Sequence, residues 1–214
     1  MNSTQQQLID NVNTSLDNAY NNQSKLSPES LLIEGMTGIK ICHFYNNLLS
    51  MSDARYLEIG LYKGASFCAA MSNNSATVLC IDNWSDGIIN RDIFLDNFNN
   101  FKGLNNANFI ESDCFQLDIS TLPKINIFIY DADSRDDSYY KALKYYIGCL
   151  DNTFIYIVDD WNWLNARNDT YRAITDLNLT INYEKSIMVP AELFPDKEGW
   201  WNGLGIFVLT KPTV

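Results

Sequence analysis

From Ala54 onward the chain alternates short apolar runs with segments of helical periodicity, and this alternation restricts the fold more than any other feature. Neighbouring parallel strands need a crossover, usually a helix, so strand–helix repetition implies a parallel sheet covered on both faces. The apolar runs predict strands at 56–59, 78–81, 108–110, 125–130, 154–158, 181–186 and 205–209. Helices are expected near 65–72, 88–101, 138–149 and 165–177. The third is the clearest, with Tyr139, Leu143, Tyr146 and Ile147 on one stripe. Between the last two strands a stretch containing Pro, Gly and Trp, Met188 to Gly203, replaces the helix and implies an antiparallel pair. The expected architecture is α/β: a doubly wound, Rossmann-like, seven-stranded sheet, mostly parallel with a terminal antiparallel strand pair. Residues 1–53 form an N-terminal helical extension and 54–214 the sheet domain. Residues 1–25 read as a loosely ordered or peripheral helical lead-in. Ser27-Pro28-Glu29 reads as a helix start, with Ser as N-cap and Pro at the first helical position, and the helix has a break at Gly35 to Gly38.

At 214 residues, 46% of them hydrophobic, the chain can bury one ordinary core. The formal net charge of −11 argues against a basic face that neutralises phosphates, so nucleic acid is not an expected partner. The five cysteines (Cys42, Cys68, Cys80, Cys114, Cys149) include no C-x-x-C pair, which disfavours both a disulfide framework and a zinc site. The Asn- and Gln-rich start has neither the basic nor the apolar region of a signal peptide. No stretch approaches the ~18 apolar residues of a membrane span, so no membrane is expected and the expected location is cytoplasmic. Self-association into a homo-oligomer is compatible with the sequence, which does not decide it.

In open parallel sheets ligands bind beyond the carboxyl ends of the strands, where strand order reverses. The first strand runs into Glu58-Ile59-Gly60-Leu61-Tyr62-Lys63-Gly64-Ala65-Ser66. Glycines here permit a tight turn and close approach of a ligand, and the following helix start offers N–H groups to an anion. The spacing is not G-x-G-x-x-G, which disfavours a nicotinamide dehydrogenase, and no G-x-x-x-x-G-K-[ST] loop is present for a nucleotide triphosphate. The second strand ends in Asp82-Asn83-Trp84; an acid there can accept from a ribose diol, or can merely cap a turn. Ser112 and Asp113 end the third strand and could read an adenine edge or act as local caps. The fourth and fifth strands end in Asp131-Ala132-Asp133 and Asp159-Asp160-Trp161. Adjacent strands would gather these carboxylates, which repel one another unless a cation or a proton lies among them. Oxygen-only donors suit Mg²⁺, Ca²⁺ or Mn²⁺. The other reading is that these acids cap the two following helices.

Taken together, these segments resemble the class I S-adenosylmethionine-dependent methyltransferases, most of all the metal-dependent small-molecule O-methyltransferases of the catechol and macrocin types. The resemblance spans about residues 34 to 210. It implies that residues 54–214 are a methyltransferase domain in which Glu58, Gly60, Gly64 and Ser66 serve the methionine part of S-adenosylmethionine. Asp82, with Asn83 and Trp84, would serve the ribose, and Ser112 and Asp113 the adenine. Asp131, Asp159 and Asp160 would bind Mg²⁺, with Asp131, Asp133 and Asp160 at the chemistry. That family generally places Lys or His three positions after the fourth-strand acid as the proton acceptor; here the position is Ser134, followed by Arg135. A neutral Ser is a poor base and Arg stays protonated. The only histidine, His43, lies in the N-terminal helical region and reads as a surface or packing residue. Proton removal would fall to the metal alone, to Asp133 or to Asp136.

The expectation is a Mg²⁺-assisted O-methyltransferase acting on a small-molecule acceptor such as a sugar, glycoside or catechol-like hydroxyl. Trp161, Trp163, Phe194, Trp200 and Trp201 are candidates for the acceptor pocket or for packing. Ser134 favours the alternative, an S-adenosylmethionine-binding or scaffold protein without turnover.

Overall fold

The computed structural model describes residues 2–85, 87–135 and 137–213. The first helix, α1 (Ser3–Tyr20), is capped reciprocally: the Asn2 side chain accepts from the Gln5 N–H, and the Gln5 side chain accepts from the Asn2 N–H. Leu8, Val12, Leu16 and Ala19 follow at three- and four-residue spacing and are buried against α2 (Ile39–Leu48), with further contacts to the sheet. Of the two readings of this lead-in, loosely ordered or peripheral helical, the structure has the helical one, packed on α2. Burying each of its large aliphatic side chains contributes roughly 1.5–3 kcal/mol, enough to outweigh its many polar residues. Ser27 makes no side-chain capping bond, and Pro28–Leu32 is a single 3-10 turn; the helix proper starts only at Ile39, beyond the Gly35–Gly38 break. His43 is buried, and its Nδ1 shares a 2.8 Å hydrogen bond with the Ser24 hydroxyl.

The rest of the chain winds as β1 (Arg55–Ile59), α3 (Ala65–Met71), β2 (Thr77–Asp82), α4 (Ile88–Phe101), β3 (Asn106–Glu111), β4 (Ile125–Tyr130), α5 (Ser138–Tyr146), β5 (Leu150–Val158), α6 (Leu164–Asp176), β6 (Thr180–Ile187) and β7 (Leu204–Thr210). The seven strands stand in the order β3-β2-β1-β4-β5-β7-β6. β1 to β5 are parallel, and β7 runs antiparallel between β5 and β6, as the missing helix implied. Helices end a turn or less from the expected positions, the largest difference being α5, which stops at Tyr146.

Alternation along the strands builds a core on each face of the sheet. Tyr56, Ile127, Ile129, Ile155 and Ile157 face the layer that includes α1, α2 and α3. Leu57, Ile59, Phe128, Tyr130, Phe154 and Tyr156 face α5 and α6. Strand order reverses between β1 and β4, so the crevice for a ligand opens at their carboxyl ends. Hydrogen bonds continue past the strand ends there, from Asp131 N to Ile59 O at 2.9 Å and from Asp159 N to Tyr130 O at 3.1 Å. They bring the turn after β1 and both acidic strand ends to one edge.

Candidate active site

A cavity of about 640 Å³ lies at this edge. Gly60, Ser66, Asp82, Asn83, Ser112 and Asp113 line one part of it, and Asp131, Asp133, Asp159 and Asp160 another. Residues from five strand ends therefore meet in one place, as parallel topology requires.

The turn after β1 depends on Gly60, whose φ of +91° is in the region that side chains avoid. Asp82 braces the same turn. One of its carboxylate oxygens accepts from Leu61 N at 2.6 Å and Tyr62 N at 3.2 Å, and the other from Trp84 N at 2.7 Å. The capping reading of Asp82 is therefore part of its role. A carboxylate has about four acceptor directions and three are taken, so one remains, enough for a single ribose hydroxyl. Asp113 is likewise occupied locally, accepting from Phe115 N at 2.9 Å and Gln116 Nε2 at 3.2 Å. Ser112 donates to the Asp113 carbonyl oxygen at 3.2 Å.

Three residues expected at the cofactor do not form its wall. Glu58 is fully buried beneath the cavity, where it accepts from Tyr56 and, at 2.5 Å, from the hydroxyl of Ser66. Burial raises its pKa to about 7, against the opposing pull of the Ser66 and Tyr56 hydrogen bonds. Glu58 thus holds the start of α3 through Ser66. Gly64 is turned towards Phe94, and Trp84 is buried with its indole N–H donating to Tyr62 O at 2.9 Å.

The acidic strand ends are unequal. Asp131 and Asp159 follow neighbouring strands and line the same part of the cavity, so their carboxyls act on each other. Both pKa values are raised, first by burial and then by neighbouring carboxylates. Asp160, at φ +58°, points its oxygens elsewhere: Oδ1 accepts from Asn202 Nδ2 at 2.6 Å, and Oδ2 from the Tyr139 hydroxyl at 3.5 Å. Among the described residues, no group of three or more His, Cys, Asp or Glu side chains is arranged to hold a metal ion. The expected three-carboxylate centre is not assembled, because Asn202 and Tyr139 engage the third member. A narrower fit remains: Asp131 and Asp159 supply oxygen donors only, and Mg²⁺ commonly takes one or two carboxylates and keeps several waters.

Asp133, an expected proton acceptor, accepts from Arg135 Nε at 2.8 Å and Nη2 at 3.2 Å. The guanidinium holds its carboxyl below the usual range, which makes it a weak base. Asp136, the other expected acceptor, lies outside the described residues. Of the five aromatic candidates, only Trp201 lines the cavity. Trp161 is core, edge-on to Phe207; Trp200 is core, edge-on to Tyr20 and Phe44; Trp163 and Phe194 are half exposed.

Gly35, Met36 and Thr37 also line the cavity and were not expected there. This segment lies so close to the start of α3 that a Cβ on Gly35 would come within 2.4 Å of the Ala65 Cβ. Lys63 on the glycine turn pairs with Glu34 at 2.8 Å, and Ile39 N donates to Lys197 O at 2.9 Å, tying the segment to the 188–203 loop. Thr37 Oγ1 is buried without a hydrogen-bond partner among the described residues, which leaves an unused polar atom at the wall. The paired glycines were the sequence signal, read there only as a helix break.

No protein-family model matches the chain, and no curated protein matches it by sequence. Solved structures do match it in shape. TrmN from Thermus thermophilus superposes with a TM-score of 0.59 at 12% identity, covering 86% of this chain and 52% of that one. The chain thus spans about half the length of TrmN. The O-methyltransferase from Bacillus cereus, in complex with SAH, gives 0.56 at 14% identity and covers 98% of this chain and 92% of its own. The SAH-bound Podospora anserina methyltransferase PaMTH1 gives 0.57 at 13%, with 96% and 88% covered. At these identities the likeness concerns architecture, and the architecture of this chain is that of the methyltransferase fold.

Proposed function

We propose that the protein is an S-adenosylmethionine-dependent methyltransferase that methylates a hydroxyl of a small-molecule acceptor. The observation that carries this reading is the cavity at the strand-order reversal, where the glycine turn, Asp82 and the Asp131–Asp159 pair stand together. Gly60 would let the cofactor approach the backbone, Asp82 would take a ribose hydroxyl, and Ser112 and Asp113 would flank the base. The cofactor's sulfonium is cationic, which suits a cavity lined by six aspartates (Asp82, Asp113, Asp131, Asp133, Asp159, Asp160). The same lining, with the chain's net charge of −11, favours a small acceptor over a polyanion such as RNA.

A divalent cation would be held by Asp131 and Asp159, with Asp160 adjacent. When bound there, such an ion supplies Lewis acidity that lowers the pKa of an acceptor hydroxyl. The chain's own residues would position the acceptor: Trp201 and Met36 bound the cavity, and Asn202 and Tyr139 hold Asp160 in place. With acceptor and methyl group aligned in the cavity, positioning would supply much of the rate. A second reading, cofactor binding without turnover, is favoured by Ser134 at the usual base position and by the Arg135 clamp on Asp133.

Calorimetry with S-adenosylhomocysteine tests the shared premise, and saturable binding is expected. Transfer of labelled methyl from S-adenosylmethionine to a panel of sugar and catechol hydroxyls then separates the two readings. Binding without any transfer would favour the second; no binding would overturn both.

A further inference from the structure

A second, shallow depression that is largely open to solvent is lined by Phe115, Tyr140, Lys141, Lys144 and Tyr145. Among the described residues its lining differs from that of the main cavity, with two lysines and three aromatic rings, and the Asp176 carboxylate reaches it only through the Tyr140 hydroxyl. In a chain of net charge −11, that combination selects a different class of ligand.

The walls are fixed before any ligand arrives. Lys141, Lys144 and Tyr145 lie three and four residues apart on α5 and so share a face. The Tyr145 hydroxyl donates to Leu117 O at 2.5 Å, and its ring meets Phe115 edge-on at 5.7 Å. The Tyr140 hydroxyl donates to Asp176 Oδ2 at 2.7 Å and accepts from Lys144 Nζ at 2.7 Å. The Arg172 guanidinium stands 4.1 Å from the Tyr140 ring centroid. Rings anchored at both ends lose little freedom on binding, which favours affinity. The Lys144 ammonium has three donors and spends one on Tyr140, so it can still donate to an anion.

The depression adjoins the main cavity. Phe115 lines both, and the charge of Lys141 acts on Asp133 at the mouth of the larger one. We infer that this depression is a second binding site, for a planar ring bearing a phosphate. The ring lies against Phe115, Tyr140 and Tyr145, and the phosphate is held by Lys141 and Lys144. Lysine recognises phosphate as a point charge, and an aryl face adds stacking that inorganic phosphate lacks. The inference does not rest on the proposed methyl transfer.

The probe is phenyl phosphate, titrated calorimetrically into the full chain at ~0.1 M salt, where the chain's distant negative charges are largely screened. Saturable one-site binding is expected, with phenol and inorganic phosphate each weaker by roughly tenfold or more, the scale of one lost charge-assisted bond. Lys141→Gln with Lys144→Gln should weaken phenyl phosphate by at least the same factor. Both lysines are exposed, so the melting temperature should hold, and each single variant gives an independent check. Saturating S-adenosylhomocysteine should leave the site available. Absent saturation, equal binding of inorganic phosphate, or binding indifferent to the lysines would overturn the assignment. Displacement by S-adenosylhomocysteine would instead place the probe in the main cavity and overturn it too. If S-adenosylhomocysteine does not bind at all, the methyl-transfer reading fails while the lysine variants still decide the second site.

Discussion

A Cβ on Gly60 would fall 1.8 Å from the carbonyl oxygen of Asp131. The turn that would receive the cofactor and the strand end that would serve the chemistry are thus in contact through a glycine that can carry no side chain. Contact this close makes the two halves of the site one unit, so that changing the turn displaces the acid.

Gly60→Ala tests that coupling. Alanine at φ +91° costs roughly 1–2 kcal/mol from backbone strain alone, and the contact with Asp131 adds to it. The expected outcome is a loss of at least about 2 kcal/mol in urea denaturation together with loss of S-adenosylhomocysteine binding. A variant of wild-type stability would show that the two strand ends separate easily.

Asp82 combines a structural and a binding role, and two substitutions divide them. Asp82→Ala removes the acceptors for Leu61, Tyr62 and Trp84 N–H and should also weaken S-adenosylhomocysteine by about 1.5–3 kcal/mol. Asp82→Asn keeps one oxygen for the turn but loses the charge, so it should retain more stability than affinity. Calorimetry and thermal melts on both variants check this. Affinity unchanged in a folded Asp82→Asn protein would leave Asp82 as a turn brace only.

Much of this site was legible in the sequence because parallel topology places strand ends at one edge. Gly60, Asp82, Asp131 and Asp159 each follow an apolar run, and the alternation that identifies a strand also locates its end. What each side chain does there was not legible. Asp160 follows Asp159 directly, yet its bond to Asn202 comes from a segment 42 residues away. Glu58 is fully buried because the period-2 pattern of β1 turns it inward with Tyr56, a burial that an acid at a strand end does not announce. The wall formed by Gly35 to Thr37 depends on how the N-terminal helices pack on the sheet, which local propensity does not encode.

Glu58 gives the stability a pH dependence of definite sign. Its folded pKa of about 7 lies above its ordinary value, so between the two the folded protein holds the proton more tightly than the unfolded chain. The resulting stabilisation is fully present at low pH and is lost as pH rises towards and through about 7. One group shifted this far contributes about 3 kcal/mol across the window. Glu58→Gln removes that contribution, so stability from urea midpoints between pH 4.5 and 8 should fall less steeply in the variant. Some slope should persist, because Asp131 and Asp159 shift in the same direction. Parallel slopes in the two proteins would show that Glu58 is ionised at low pH despite its burial.

The last prediction concerns the cation. Burial and neighbouring carboxylates raise the pKa of both Asp131 and Asp159, which favours a retained proton there, so an ion entering between the two must displace it. Binding should therefore strengthen with pH and should stabilise the folded form, raising the melting temperature with the logarithm of Mg²⁺ concentration. Asp131→Asn with Asp159→Asn preserves size and polarity while removing both ionisable groups. This variant should melt at the same temperature with or without Mg²⁺, and above the metal-free wild type at pH 8, where the buried acids are most costly to ionise. Asp160→Asn, whose oxygens are engaged by Asn202 and Tyr139, should keep most of the Mg²⁺ response if two carboxylates suffice. The measurement is a set of melts across a magnesium titration at constant ionic strength and two pH values. If wild type and the Asp131/Asp159 double variant respond alike, the pair holds a proton and no cation, and proton removal from the acceptor must be sought elsewhere in the cavity.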